Sequence, residues 1–329
     1  MKKGFWIVAM MLVGSGIAAG GESPHRGPLH PVCTYSIVAY DSATGEFGAA
    51  VQSHYFKVAD VIWVEPGVGA VATQSLVDFS YGPLGLAMMR NGKSARQALD
   101  GLLASDSSNA VRQVAMVDRN GTVATHTGAK CIPEAGHHTG KGYSCQANLM
   151  RNNTVWDAMA KAYETTKGDL AERLLSALEA AQKEGGDIRG MQSAAIMVVS
   201  GKPTGQSWKD KLFDLRVDDS PQPLTELRRL VTLARAYKHS DKGDDLVAVG
   251  KTQEAEAEYE AASQMAPDNI ELKFWHAASL ATNGQVEKSL PMFKEIFKAD
   301  NSWRVLVPRL VKVDLLPKDE KIINQILAQ

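Results

Sequence analysis

A threonine at position 34 opens the first β-rich run of the chain, Thr34 to Tyr40, directly after a stretch that reads as disposable. A threonine hydroxyl attacks a carbonyl only with a base in hydrogen-bond reach, and its own freed α-amine can be that base. Such chemistry demands a cut between Cys33 and Thr34. A cut one residue earlier would expose Cys33 instead, whose thiol is the more reactive nucleophile at neutral pH. On spacing alone, the plainer reading is that Thr34 is a β-former starting a strand. No Walker loop, dinucleotide glycine fingerprint, HExxH or GxSxG elbow occurs. His137 and His138 are adjacent in a glycine-rich loop, a spacing that suits neither a helix face nor a strand face for a metal. No metal or cofactor is therefore expected, and a metal hydrolase using His126, His137 and His138 is the weaker competitor. Arg112 and Asp118 read as surface or structural residues.

What precedes Thr34 has its own logic. Lys2 and Lys3, a nearly continuous apolar run from Phe5 to Val13, and small residues at Ala18, Ala19 and Gly20 form the layout of a secretory signal peptide over residues 1–20. The run is too short to span a bilayer comfortably, and no later segment could do so. Residues 21–33 read as a tether or propeptide, and the location as periplasmic or secreted. Signal cleavage near Gly20 does not free Thr34, so the nucleophile requires a second cut. Outside the cytoplasm a disulfide is permitted. Cys131 and Cys145 flank one glycine-rich loop and are the natural pair, with Cys33 left over. A formal net charge of −1, with no basic stripe interleaved with aromatics, gives no ground for a nucleic-acid partner.

At 329 residues the chain is long enough for two cores. Thr34 to Tyr40 and Glu46 to Ser53 read as a hairpin, as do Val61 to Glu65 and Gly69 to Gln74 around Pro66-Gly67. Helices are expected at Pro83 to Arg90 and from an N-cap at Ser94. Strands follow at Arg112 to Asp118 and Thr122 to His126, then a loop from Gly128 to Gly142. Helices at Val155 to Thr165 and Leu170 to Lys183 come next, the second stopped by Gly185, and strands at Ser193 to Ser200 and Leu212 to Val217 close the unit. Apolar residues on both faces of the first strands argue for a sheet covered on both sides. Paired helices alternating with antiparallel strands predict an α+β domain of sheets with helices outside, over residues 34–222, rather than a doubly wound sheet.

From about Pro223 the composition shifts to Ala, Glu, Lys and Leu, and a period appears. Leu246 and Leu280 stand 34 apart, as do Gly250 and Gly284, Ala255 and Ser289, and Tyr259 and Phe293. That is the tetratricopeptide pattern, so residues 223–329 are expected to form a small all-α domain. Two units are flanked by helices at Leu224 to Tyr237 and Lys318 to Leu327. A helical repeat of this kind could dock a protein partner.

Dispersed residues carry a resemblance over Thr34 to Leu230. They are Thr34 to Ala39, Gly48 to Ser53, Gly69 to Gln74, Arg112 to Val114, Thr127-Gly128, Gly185 to Gly190, Gln192 to Ala195 and Asp214 to Asp219. Together they resemble the bacterial family catalogued as domain of unknown function 1028, placed among N-terminal-nucleophile hydrolases. The resemblance implies a four-layer αββα sandwich and hydrolysis of a peptide or other amide substrate. It implies Thr34, or Cys33 under the earlier cut, as the nucleophile. Thr73 and Gln74 would end the neighbouring strand and stabilise an oxyanion through their amides or the Gln74 side chain. His54, Asn148 and the Asp187/Arg189 pair would line the pocket or orient the amine; Asp187 and Arg189 could equally brace a glycine-rich turn. One departure is Ala147, where the family often has glycine before the asparagine.

Overall fold

The β-rich runs pair as their turns dictate. In the computed structural model, which describes residues 31–329, the strands are β1 (Thr34–Tyr40), β2 (Phe47–Ser53), β3 (Ile62–Glu65), β4 (Gly69–Ser75), β5 (Arg112–Asp118), β6 (Val123–Thr127), β7 (Gly136–Gly140), β8 (Tyr143–Ala147), β9 (Ser193–Val199) and β10 (Lys211–Val217). The helices are α1 (Tyr81–Arg90), α2 (Ala95–Ser105), α3 (Val155–Thr165), α4 (Leu170–Lys183), a single turn α5 (Ser207–Asp210), α6 (Pro223–Ala248), α7 (Thr252–Met265), α8 (Ile270–Thr282), α9 (Val286–Ala299), α10 (Ser302–Val311) and α11 (Glu320–Leu327). The signal-peptide reading of residues 1–20 and the tether up to residue 30 lie outside the described residues.

Local chemistry explains where these elements start and stop. Ser94 caps α2 in a reciprocal box: its Oγ accepts from Gln97 N, and Gln97 Oε1 accepts from Ser94 N. Asp169 caps α4 by accepting from Glu172 N. Past Lys183, Gly185 at φ 104° and Gly186 at φ 55° turn the chain into a conformation that residues with a Cβ avoid. The turn that follows carries Asp187 and Arg189.

The strands form two antiparallel sheets, one of six strands in the order β10-β9-β2-β1-β8-β7 and one of four in the order β3-β4-β5-β6. Alternation sends each strand's side chains to opposite faces, and both faces are covered. Val38, Ala49, Val51, Ala70, Ala72, Ala115 and Val117 meet between the sheets. On the outer face of the six-stranded sheet, Ile37, Ala50 and Ile196 pack with Leu174 and Leu178 of α4 and Met159 of α3. On the outer face of the other, Val71 and Met116 pack with Leu86 of α1 and Leu99 of α2. The α+β class and the covered sheets are as expected.

Three expectations are corrected. The stretch Gly128 to Gly142 is not all loop, because Gly136–Gly140 is edge strand β7, and β8 beside it pairs with β1. The edge strand's glycine ends and two histidines hide its β character. Helix α6 runs eleven residues beyond Tyr237 to Ala248. Its first turns bury Leu224, Leu227 and Val231 in the core of the six-stranded sheet, while Gly243 further along lies against the Tyr259 ring of α7. One helix thus serves both cores. All three cysteines are free. Cys145 faces the α3 side of its sheet, while the Cys131 thiol donates to Arg112 O at 3.4 Å, so Cys131 and Cys145 do not pair.

The C-terminal region is built of helices, α6 to α11. Gly250 at φ 77° and Gly284 at φ 79° make the same left-handed turn after α6 and α8, and buried Tyr259 and Phe293 occupy matching places in α7 and α9. Among the described residues no helix is long and apolar enough to cross a membrane.

Candidate functional site

The space between the sheets is apolar over most of its length and polar at one end. Beyond Val38 on β1, the side chains turned inward are Ser36 and Thr34. Their counterparts are Ser53 on β2, Gln74 on β4, Gln113 on β5, Gln146 on β8 and then Asn148, all essentially inaccessible to solvent. Burying so many polar groups is costly unless they bond to one another. Gln113 is the hub: its Oε1 accepts from Gln74 Nε2 at 2.7 Å and Asn148 Nδ2 at 2.9 Å, and its two Nε2 protons are shared among Thr127 Oγ1, Gly136 O and Ala147 O. Ser36 Oγ donates to Gln74 Oε1 at 2.7 Å.

Thr34 sits in this polar end with both sides of its backbone held. Its carbonyl accepts from Gln74 Nε2 at 3.0 Å and from Asn148 N at 3.1 Å. Its hydroxyl donates to Val32 O at 2.9 Å. The carbonyl of Cys33, on the other side of the Cys33–Thr34 peptide bond, accepts from Ser53 Oγ at 2.6 Å and from Arg189 Nη2 at 2.8 Å. A hydroxyl and a guanidinium on one carbonyl oxygen form the arrangement that stabilises negative charge on it.

Arg189 is aimed by Asp187. Its Nε and Nη2 donate to the two Asp187 oxygens at 3.0 and 2.7 Å, and the Asp187 side chain is wholly buried. Burial pulls the guanidinium pKa down, but the hydrogen bonds and charge of Asp187 outweigh it and hold it above its usual value. The guanidinium that donates to the Cys33 carbonyl is therefore permanently charged. Asp187 also accepts from Arg189 N and His54 N, so the pair both braces the glycine-rich turn and points a cation at one carbonyl.

The structure separates the candidates. Thr34, Cys33, Gln74, Asn148, Asp187 and Arg189 come together. Thr73 does not: it lies on the opposite face of β4 from Gln74, and its buried hydroxyl has no partner. His54 offers its backbone N–H to the site while its side chain is exposed. Both Nε2 protons of Gln74 are spent on Thr34 O and Gln113, so Gln74 positions Thr34 rather than serving a developing oxyanion. Ser53 and Gln113 fall within the ranges that carry the resemblance but are not singled out there as site residues; the signal is a polar residue at the end of a strand otherwise buried on both faces. Buried Asn148 Oδ1 has no partner and is an acceptor in reserve. Backbone strain gathers here as well, with Ser75 at φ 72° and Leu149 at φ 58°.

Cys33 is a poor nucleophile in this setting. Burial pushes its thiol up to about 12 against the opposing charge of Arg189. At pH 8 about one thiol in 10⁴ is then ionised, against about a quarter for an unperturbed cysteine. In a chain intact through residues 31–34, iodoacetamide at pH 8 is expected to label Cys33 about 10³-fold more slowly than a free cysteine peptide. Peptide mass mapping over time measures it, and labelling at the free-peptide rate would contradict this environment.

His126, His137 and His138 are engaged separately, with Asn109 O, Thr127 Oγ1 and Asp157 Oδ1. Among the described residues no three His, Cys, Asp or Glu side chains gather as a metal site would.

A model described as a family of unknown function, DUF1028, matches residues 34–227. A crystal structure of a Silicibacter pomeroyi protein assigned to the same family is similar at 29% identity, with a TM-score of 0.56, covering 61% of this chain and 86% of that one. No curated protein matches the chain. The matched span begins at Thr34 and takes in both sheets and the helices on them, and by it the chain belongs to the family of unknown function DUF1028.

Proposed function

We propose that this protein is an exported amide hydrolase of the N-terminal-nucleophile type, made active by cleavage of its own Cys33–Thr34 bond. The observation that carries the reading is the Cys33 carbonyl, held by Ser53 Oγ and Arg189 Nη2 immediately beside the Thr34 hydroxyl. Thr34 Oγ adds to that carbon, the C–N bond breaks and the hydroxyl proton ends on the departing Thr34 nitrogen; water then hydrolyses the ester. The freed amine, with an ordinary pKa of roughly 7.7–8.0, is the base for later turnovers. Asn148, whose backbone N–H already donates to Thr34 O, carries a buried Oδ1 with no partner and is the candidate acceptor for it. The stacking of helices, two sheets and helices is read as the four-layer αββα sandwich of such hydrolases, and the 34-residue helix pairs as tetratricopeptide-like.

A non-catalytic binding protein is the second reading. It is favoured by a cavity of about 550 Å³ beside α6 and α8, lined by Tyr237, Tyr259, Trp275, Asp241 and Glu271, which suits a peptide segment. Intact mass and N-terminal peptide mapping of the purified protein separate the two readings. A chain beginning at Thr34 is expected; one beginning near Gly21 supports the binding module.

A further inference from the structure

Residues 31–33 do more than precede the nucleophile, because they fill the place a substrate would need. Val32 N donates to Ser75 O at 2.8 Å and Ser75 N donates back to Val32 O at 2.9 Å, one antiparallel bridge at the end of β4. The Val32 side chain is fully buried in the apolar cluster between the sheets, with Val58 and Val77. Cys33 is fully enclosed as well, with its carbonyl on Ser53 and Arg189. Thr34 itself has no solvent-accessible surface, so a substrate reaches it only where Val32 and Cys33 now lie. Ser75 holds a strained positive φ to make its bridge, a cost that the surrounding structure sustains where it serves a purpose.

Covalent chemistry gives this placement its meaning. When Thr34 Oγ takes the Cys33 acyl group from nitrogen, the product is a threonine ester of a peptide ending in Val-Cys. An external amide, attacked by the same oxygen with its amine leaving protonated, gives the same kind of ester carrying the substrate's acyl group. Both acyl groups must put their carbonyl on the same donors and run in the same direction away from Thr34.

We propose, on the basis of the Thr34 reading above, that the substrates are peptide amides whose acyl side is an extended backbone. A small residue occupies the cleaved carbonyl position, where Cys33 lies. A compact aliphatic residue precedes it, in the Val32 place, and pairs its N–H and C=O with Ser75. Fatty acyl amides lack that pair of backbone groups and fit poorly, because they leave Ser75 N and O unpaired in a closed cleft.

The test uses the full chain, confirmed by mass to begin at Thr34, and four p-nitroanilides. These are N-acetyl-Pro-Val-Ala, the same peptide with N-methylvaline, the same with Phe in place of Ala, and dodecanoyl. The first is expected to show a kcat/KM at least about tenfold above each of the others, since N-methylation removes the donor to Ser75 O and Phe overfills the Cys33 space. Equal turnover of the N-methyl peptide, or preference for the dodecanoyl or Phe compound, overturns the substrate assignment and leaves the nucleophile reading standing. A chain beginning at Thr34 that hydrolyses no amide overturns both.

Discussion

Thr34→Ala is expected to yield a chain that is never cut between residues 33 and 34 and whose amide hydrolysis falls at least about 10⁴-fold. Thr34→Ser is expected to keep both activities. The hydroxyl is the one group whose loss removes the nucleophile outright, whereas serine supplies the same oxygen in the same place. Folding survives the change. The lost bond to Val32 O is worth about 1 kcal/mol, and that carbonyl still accepts from Ser75 N. Time-resolved mass spectrometry of freshly made protein, together with an amide-release assay on chains begun at residue 34, reads both effects. An alanine chain that still begins at residue 34 would show that a separate protease makes the cut.

The second large effect concerns Arg189. Loss of its charge from the Cys33 carbonyl is expected to slow cleavage about 10²–10³-fold, as removal of an oxyanion donor does elsewhere. Arg189→Ala alone leaves the buried Asp187 carboxylate without its cation, at a cost of about 3–5 kcal/mol that confuses the result. The neutral pair, Arg189→Gln with Asp187→Asn, removes both charges and keeps amide hydrogen bonds in the turn. It is expected to unfold in denaturant close to the parent while remaining slow to cut. Cleavage at the parent rate would relegate Arg189 to bracing the turn.

The two effects depend on sequence in different ways. Thr34 stands out as a candidate because it combines a reactive group with a position, at the head of a strand after a stretch that reads as separable. Asp187 and Arg189 were legible as a charged pair in a glycine-rich turn, but their target was not. Thr73 and Gln74 show why. In a sheet covered on one face, alternating polarity tells which side chains point inward; in a sheet covered on both faces, every position is buried and alternation says nothing about facing. Thr73 thus looked as suitable as Gln74, yet it lies on the far face of β4 with an unpartnered hydroxyl. Strands β7 and β8 were passed over for a related reason. Gly136-His-His-Thr-Gly140 has little β propensity of its own and is a strand because β8 pairs with it.

By itself the sequence determined what near neighbours determine: the first three hairpins, the capped helices, the glycine stop after α4, the 34-residue spacing and the α+β class. Periodicity, caps and turns are local free energies, and they act the same way wherever the segment ends up. Tertiary structure alone decided that Ser53 and Arg189, the latter 156 positions away, meet on the carbonyl of Cys33. It also decided that a buried hub at Gln113 locks Gln74 and Asn148 around Thr34. Those meetings depend on which face each strand turns to its partner sheet, and long-range packing settles that choice.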